Sequence, residues 1–255
     1  MILYFSGTNN SKYIAETVGD LLEDRVVSIG LAHKKKETIF ALGEGESLGF
    51  VCPVHGWNLP YIMDVFFNEL TIDGYKGNYV YGVFTCGAND GLASQDLRKL
   101  LDKKGIKMNA SFAIEMPDNY IPFYDVQPLE EQTKMLTAAA QWVPTIAQRI
   151  KAKEAVILHT KKNPPKIFSS LVGKMMKMGM KYPNEFFVTD ACISCGLCAA
   201  NCPMSTITMT DGKPVWKGEC TKCLKCVHYC PVAAIQMSKK TAKRGRYHHP
   251  HYPLP

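Results

Sequence analysis

Apolar runs and apolar residues at helical spacing alternate along the first 150 residues of the chain. The apolar runs predict buried strands at residues 2–6, 25–29, 47–52, 78–85 and about 110–116. The helical spacing predicts helices at 10–22, 60–70, 92–104 and 129–152. Strands that alternate with helices predict an α/β fold with a parallel sheet covered on both faces. Five strands fit a doubly wound order, with a ligand at the carboxyl ends of the strands.

Eight of the ten cysteines follow in two equal runs. The runs are Cys192-x2-Cys195-x2-Cys198-x3-Cys202-Pro203 and Cys220-x2-Cys223-x2-Cys226-x3-Cys230-Pro231. This spacing resembles that of two-[4Fe–4S] bacterial ferredoxins, and the resemblance covers residues 183–238. The segments after Cys202 and Cys230 echo each other about 28 residues apart, which predicts a short helix followed by a strand in each. A small α+β ferredoxin-like domain is therefore expected.

The ferredoxin resemblance implies a crossed set of cluster ligands. One cluster takes Cys192, Cys195, Cys198 and Cys230, and the other takes Cys220, Cys223, Cys226 and Cys202. Structural zinc and disulfides are the alternatives. Zinc sites commonly use two pairs of ligands rather than three cysteines in a row. Disulfides are rare in the cytoplasm, which is the compartment expected because no basic leader precedes the first strand.

A polar turn between the first strand and the first helix predicts a phosphate site, because backbone N–H groups and the helix N-terminus face an anion there. Its candidate residues are Ser6, Thr8, Asn9, Asn10 and Ser11. The turn resembles the FMN-phosphate loop of flavodoxins, with Asn9 in place of a glycine. Asn tolerates positive φ better than most residues, so the loop is expected to survive this change. The resemblance implies FMN as the cofactor and a flavodoxin-like fold.

Two later loops lie where flavodoxins hold the isoalloxazine ring. Their candidate residues are Pro53, Val54, His55 and Trp57 after the third strand, and Thr85, Cys86, Gly87 and Asp90 after the fourth. Trp57 is the candidate for stacking near the ring, with ordinary packing as its alternative. Cys86 is either a small apolar loop residue or a reactive thiol, and Tyr120 either approaches a cofactor or lies in a surface turn.

The whole chain resembles the EFR1 family of flavodoxin–ferredoxin fusions from anaerobic bacteria and archaea. Residues 4–11, 53–57 and 116–120 carry this resemblance together with the cysteines. It implies a flavodoxin-like FMN-binding domain and a two-[4Fe–4S] ferredoxin domain, and the residues between and after them predict a basic amphipathic connector and a basic C-terminal arm. These parts are expected at 1–152, 153–182, 183–238 and 239–255.

The net charge of +7 lies mainly in the connector and the arm. Residues 151–182 hold eight lysines and one acid, and residues 239–255 hold five basic residues and no acid. Cluster binding adds negative charge, so the basic composition is weak evidence for nucleic acid, and no nucleic-acid partner is expected. The connector predicts a helix at 167–181 that either packs between the domains or binds a membrane surface. The arm, with its histidines, either lies on the protein or a partner or holds a metal.

The expected function is electron transfer between two [4Fe–4S] clusters, FMN and a redox partner protein or small-molecule acceptor. No catalytic acid or base is indicated, and no apolar run is long enough for an integral membrane span. Two alternatives stay open: a flavin-dependent reductase with its own organic substrate, which would make the chain an oxidoreductase, and an iron–sulfur redox sensor.

Overall fold

The structure is a computed structural model that describes residues 1–160, 170–173, 175 and 182–253. The strands of the N-terminal part are β1 (Ile2–Tyr4), β2 (Val26–Ser28), β3 (Ile39–Ala41), β4 (Leu48–Pro53), β5 (Thr71–Asp73), β6 (Val80–Cys86), β7 (Ala110–Glu115) and β8 (Ile157–Leu158). Its helices are α1 (Asn10–Leu22), α2 (Ile29–Lys35), α3 (Tyr61–Glu69), α4 (Ala93–Asp102) and α5 (Leu129–Lys151). No helix in these ranges is long and apolar enough to cross a membrane.

Six strands form one parallel sheet in the order β2-β1-β4-β6-β7-β8. The first five of these strands, numbered by their position in the chain, follow the 2-1-3-4-5 order of flavodoxin-like sheets. The order reverses between β1 and β4, so the loops after these two strands diverge and leave a crevice at the carboxyl edge. The sheet order itself thus gives the flavodoxin-like fold that the sequence predicts.

Apolar side chains cover both faces of the sheet. One core packs α2, α3 and α4 against the sheet through residues such as Ile29, Phe66 and Leu97. The other core packs α1 and α5 through residues such as Ile14 and Val143. Strand β6 is buried along its whole length, as expected for a central strand with helices on both sides. The buried sheet fixes where the loops at its carboxyl edge begin.

Several elements differ from the sequence prediction. The predicted five strands are present, and β8 adds a sixth by pairing with β7 at Ser111↔Ile157 and Phe112↔Leu158. Two-residue strands and seven-residue helices carry little periodicity, which is why β8 and α2 were missed. Because β8 belongs to the sheet, the first residues of the predicted connector lie in the N-terminal part. Residues 170–173 and 175 are helical, and the rest of the predicted 167–181 helix lies outside the described residues.

The C-terminal part consists of two antiparallel strand pairs and short helices. The strands are β9 (Phe187–Val188), β10 (Ile207–Thr210), β11 (Lys213–Trp216) and β12 (Ile235–Gln236), paired β10–β11 and β9–β12. The helices are α6 (Leu197–Ala200), α7 (Lys225–His228) and a single 3-10 turn, Thr241–Lys243. Asp211 and Gly212, with φ of 49° and 73°, form the two-residue turn of the β10–β11 hairpin.

The internal repeat is visible in the backbone. Positive φ angles recur in pairs 28 residues apart: Ser194 (58°) with Lys222 (47°), Gly196 (73°) with Leu224 (58°), and Ser205 (52°) with Ala233 (48°). Five of these six residues are not glycine, so the backbone is held in a conformation that their side chains disfavour. The two cysteine runs therefore form the same tight loop twice.

The helices of this part lie earlier than the sequence predicted. A short helix was expected to open at Cys202 and at Cys230, but α6 and α7 both end before those residues. Cys202 and Cys230 are instead followed by turns that contain Ser205 and Ala233 in the left-handed conformation. A left-handed residue three positions after the cysteine prevents a helix there. The strands predicted after these segments are present as β10 and β12.

The cysteine loops pack directly on the carboxyl edge of the large sheet. A Cβ placed on Gly7 would stand 2.4 Å from the carbonyl oxygen of Cys223, so only a glycine fits there without displacement. The Thr221 Oγ1 accepts a 3.1 Å hydrogen bond from the backbone N–H of Ile62 at the start of α3. Lys34 of α2 donates to the carbonyl oxygen of Ala200 at 2.5 Å. Contacts from the β1–α1 loop and from α3 thus hold the second cysteine loop beside the crevice, and the contact from α2 holds the first cysteine run.

The contact at Gly7 gives a first prediction. Gly7→Ala should lower the free energy of unfolding by about 1–3 kcal/mol, because its methyl group must push backbone rather than a flexible side chain. Gly43→Ala is the matched control, since the nearest atom to its added Cβ is the carboxylate end of the Glu46 side chain at 3.3 Å, which can move, rather than backbone. Chemical denaturation of the anaerobic protein checks this, and equal stabilities of the two variants would contradict the close packing.

Candidate functional site

Four cysteines from both runs converge on one small cavity in the C-terminal part. The cavity is lined by Cys202, Cys220, Cys223 and Cys226, and the remaining wall is mostly apolar, with Thr221 and Lys225 as its polar members. Phe186 and Trp216 stack at 5.5 Å and form part of that wall. The structure thus brings together the same four cysteines that the ferredoxin resemblance assigns to one cluster.

The other predicted set lies nearer the surface. Cys195 is exposed, whereas Cys192, Cys198 and Cys230 are partly buried. Burial, followed by the nearby Cys195 and Cys230 thiols, raises the pKa of Cys198. Cys198 therefore lies close to a cysteine of the second run as well as to one of its own.

The chemistry of these donors fits iron–sulfur clusters. Backbone N–H groups donate to thiol sulfurs at equivalent positions of the repeat, from Thr206 to Cys202 at 3.3 Å and from Ala234 to Cys230 at 3.2 Å. Burial, then the neighbouring thiols, raises the pKa of Cys226 well above its ordinary value. Four neighbouring thiols are costly to ionise in this largely apolar cavity, where Lys225 is the one cationic side chain of the described lining. The iron of a cluster would supply the further positive charge that four thiolates need.

No group of three or more His, Cys, Asp or Glu side chains in the described part of the chain is arranged to hold a single metal ion. A single zinc ion requires its four ligands on one tight tetrahedron. The thiolates of a four-iron cube each bind a different iron and therefore stand further apart.

A second, larger cavity of about 610 Å³ lies at the carboxyl edge of the sheet. This volume is within the range of small-molecule and cofactor sites, about 300–1,000 Å³. Eleven of the thirteen predicted flavin-site residues line it: Ser6, Thr8, Asn10, Ser11, Pro53, Val54, His55, Trp57, Thr85, Cys86 and Gly87. The loops after β1, β4 and β6 therefore meet around one cavity.

The other two predicted residues, Asn9 and Asp90, do not line the cavity. Asn9 takes the left-handed conformation, φ 70°, immediately before α1, as its replacement of a glycine led us to expect. Asp90 is 1% exposed, and its carboxylate contacts His159 Nδ1 at 2.5 Å and accepts from the Thr160 N–H at 3.0 Å. Asp90 thus joins the loop after β6 to the segment after β8.

The turn that carries Trp57 is tight and strained. His55 and Asn58 exchange backbone hydrogen bonds at 2.9 and 3.1 Å, and the two residues between them, Gly56 and Trp57, have φ of 54° and 64°. Positive φ at a tryptophan is unusual and is retained where the surroundings enforce it. The Trp57 carbonyl accepts a 2.7 Å hydrogen bond from the N–H of Leu92, which joins the loop after β4 to the loop after β6.

A fourth loop, residues 116–127 after β7, also lines the cavity. The sequence indicated only Tyr120 from this loop as a candidate, and the structure adds Asp118, Asn119, Phe123 and Tyr124. The sequence could have indicated this loop by its position, because it follows the carboxyl end of β7, the strand next to β6. Lys222, from the second cysteine run, also lines the cavity, and no local pattern pointed to it.

The C-terminal arm and the cysteine part join the phosphate-loop region through one network. His228 is 1% exposed, its Nε2 is 2.8 Å from the Asn119 carbonyl oxygen, and its Nδ1 accepts from the Tyr247 N–H at 3.1 Å. Asn119 in turn donates to Thr8 Oγ1 at 2.5 Å. The Tyr247 hydroxyl bonds to Asn10 Oδ1 at 2.6 Å. This part of the arm lies on the protein, as one of the two alternatives for it expected.

His55 is held without charge at the wall of the large cavity. Burial lowers its pKa from 6.5 to about 4, although a hydrogen bond to the backbone of Thr221 acts in the opposite direction. Its ring also packs edge-to-face with Phe5 at 6.5 Å. At neutral pH His55 therefore contributes a hydrogen bond across to the cysteine loop and no positive charge.

Known proteins resemble the two parts separately. Residues 191–235 match the 4Fe-4S dicluster domain family. The ferredoxin of Pyrobaculum islandicum is 36% identical over 75 residues, which cover 26% of this chain and 69% of the ferredoxin. The ferredoxin of Acetivibrio thermocellus is 58% identical over 26 residues, covering 10% of this chain and 47% of that protein. The flavodoxin of Streptococcus pneumonia TIGR4 aligns over 60% of this chain and 97% of its own, with 18% identity and a TM-score of 0.38.

The repeated cysteine loops and the dicluster match define an iron–sulfur protein with two [4Fe–4S] clusters, and the ferredoxin similarity supports electron transfer. Through this C-terminal part, the chain belongs to the ferredoxin family. The large cavity and the sheet that carries it lie outside the residues that match the dicluster domain.

The lowered pKa of His55 gives a pH prediction. Because the unfolded state takes up this proton near pH 6.5 and the folded state only near pH 4, stability is fully present above pH 6.5 and is lost as the pH falls towards 4. Between pH 7 and 5 the wild type should lose about 1–2 kcal/mol more than His55→Gln, since the ring is partly open to the cavity. Anaerobic denaturation curves at both pH values check this, and parallel losses would show that His55 titrates normally.

Proposed function

We propose that this chain is an electron-transfer iron–sulfur flavoprotein. In this proposal electrons pass between the two [4Fe–4S] clusters and FMN, and are exchanged with a redox partner protein or a small-molecule acceptor. The clusters supply one-electron chemistry, and bound FMN supplies both one- and two-electron chemistry. The role of the chain is then to bind the cofactors, to hold them close together and to set their surroundings.

The observation that carries the proposal is that one cysteine loop forms a wall of the large cavity. Cys223 lines the small cavity, and its backbone meets Gly7 of the predicted phosphate loop. Its neighbour Lys222 lines the large cavity, and Thr221 bonds to His55 in the same wall. A ligand of the second cluster and the proposed flavin site therefore share one short stretch of backbone. Electron tunnelling requires such proximity.

FMN fits the large cavity by its shape and donors. The loop between β1 and α1 offers backbone N–H groups and the N-terminus of α1 for the phosphate. Ser11 Oγ lies 2.7 Å from Thr85 Oγ1, and Asn10 Nδ2 donates to the Pro117 carbonyl at 3.0 Å, so protein contacts hold these side chains in place. The loops at Trp57 and at Gly87 provide the walls for the flat ring. All thirteen predicted residues belong to this proposed site, with Asn9 and Asp90 shaping its loops.

The domain division follows from this proposal. Residues 1–152 form the FMN-binding domain, 153–182 the connector, 183–238 the ferredoxin domain and 239–255 the arm, with β8 as an extension of the first sheet. The combination of the two halves supports membership of the EFR1 family of flavodoxin–ferredoxin fusions. We place the protein in the cytoplasm, where its thiols stay reduced, and without a nucleic-acid partner.

A flavin-dependent reductase with its own substrate is the second candidate. Phe123 and Tyr124 line the mouth of the large cavity, and both are 64% exposed. Tyr120 packs edge-to-face with Phe123 at 5.2 Å, which makes an aromatic rim beside the cavity. Exposed aromatic rings at a cavity mouth suit a flat organic molecule. Such a substrate would stack on this rim, and the chain would then be an oxidoreductase.

The cofactor content tests the proposal. Protein purified without oxygen should carry about eight irons, from two four-iron clusters, and one FMN per chain. Iron assay, flavin fluorescence after denaturation and the visible spectrum measure these quantities. Fewer than about five irons per chain would contradict two four-iron clusters. Failure to bind FMN on reconstitution would remove the flavoprotein half of the proposal and leave a ferredoxin.

A further inference from the structure

Lys222 occupies an unusual place for a residue of a cluster loop. It lies between Cys220 and Cys223 of the second cysteine run, and its N–H donates to the sulfur of Cys220 at 3.3 Å. Its backbone has φ 47°, which turns the side chain away from the small cavity. The side chain instead lines the large cavity and is 12% exposed. The cysteine part thus contributes a partly buried cation to a site built on the other part of the chain.

Lys222 is the only Lys or Arg among the described residues that line this cavity. The other charged side chains among the described lining residues are the acidic Asp118 and Asp125. His55 adds no positive charge at neutral pH, because burial lowers its pKa to about 4. The Lys222 ammonium pairs with the Glu185 carboxylate, whose side chain is 33% exposed. The described lining therefore offers an anion one cation, Lys222, and two carboxylates, Asp118 and Asp125.

The loop between β1 and α1 offers dipoles rather than a full charge. An anion held only by N–H groups and a helix N-terminus gains less than one that also faces a buried ammonium. The two chain neighbours of Lys222 contact two different loops of the cavity: Thr221 bonds to His55, and Cys223 contacts Gly7. The Lys222 side chain therefore lies on the stretch of backbone that contacts both the loop of His55 and the loop of Gly7.

We propose that Lys222 is a flavin-binding residue, whose ammonium group neutralises an anionic group of the bound flavin. This inference rests on the proposed function, because it assumes that flavin occupies the cavity. The anionic group is either the phosphate or the isoalloxazine ring in its reduced, negatively charged form. Glu185 acts against Lys222 as a competing partner for the same ammonium, and so weakens flavin binding.

Two substitutions with opposite expected effects on FMN affinity, and one conservative variant, test this proposal on the cluster-loaded protein without oxygen. Lys222→Met should raise the FMN dissociation constant about tenfold or more, since a hydrogen bond to a charged group is lost. Lys222→Arg should keep the affinity within about threefold. Glu185→Gln should tighten FMN binding, because the ammonium loses its competitor and Gln keeps the shape. The fluorescence of flavin released on dilution measures each constant, and iron content confirms that the clusters remain.

Lys217→Met is the matched control. Lys217 is an exposed lysine of the same part of the chain that does not line the cavity. Its substitution removes the same net charge and should leave FMN affinity unchanged. If the wild type and this control both fail to retain flavin, the proposed function fails. If both retain flavin, the behaviour of Lys222 and Glu185 decides the further inference alone.

Riboflavin and the flavin midpoint potential identify the anionic group. If Lys222 faces the phosphate, Lys222→Met should weaken FMN binding but not riboflavin binding. If it faces the ring, both ligands bind the reduced protein more weakly, and the midpoint potential of the flavin falls, because the reduced anion has lost its counter-charge. Unchanged FMN affinity and unchanged midpoint potential in both Lys222→Met and Glu185→Gln would overturn the proposal. Should Lys222→Met lose iron, Glu185→Gln still decides it.

Discussion

The close approach of two backbones, at Gly7 and Cys223, is the constraint on which the rest of the arrangement depends. A side chain at Gly7 would collide with the Cys223 carbonyl at 2.4 Å. Without that side chain, the loop after β1 and the second cysteine loop lie against each other. The same cysteine loop also contacts the loop after β4 and the start of α3, where Thr221 bonds to His55 and Ile62. The two cavities consequently have a common wall only a few residues thick.

The two halves of the molecule obtain their rigidity in different ways. The sheet is held by apolar cores on both faces. The cysteine part has a much smaller core around Ile121, Leu224 and Val227, and it relies on positive-φ turns that its own side chains disfavour. Such strained loops persist only when something else fixes them, and metal ligation in both runs is the obvious source. The contacts of His228 with Asn119 and of Tyr247 with Asn10 add a second attachment between the two parts.

The features that could be predicted from the sequence are those with a repeated or periodic pattern. The 28-residue repeat and the sheet elements follow local rules of spacing and periodicity, and Asn9 takes the positive φ that its place in the loop required. The crossed sets of cluster ligands came from the ferredoxin resemblance and stay a prediction. Short elements such as α2, β3 and β8 have no periodic signal, and the helices near Cys202 and Cys230 were placed too late. Lys222 was missed for another reason. Its role depends on how two distant segments dock, and a single lysine inside a cysteine motif gives no indication of that.

The central claim is that one cluster and the flavin share the wall formed by residues 221–223. A crystal structure of the anaerobic protein with its cofactors bound, with iron located by anomalous scattering, tests it most directly. We expect the cluster in this loop to bond Cys202 together with Cys220, Cys223 and Cys226, and flavin density to fill the cavity beside Lys222. Flavin density elsewhere, or a cluster that bonds Cys230 in place of Cys202, would contradict the account.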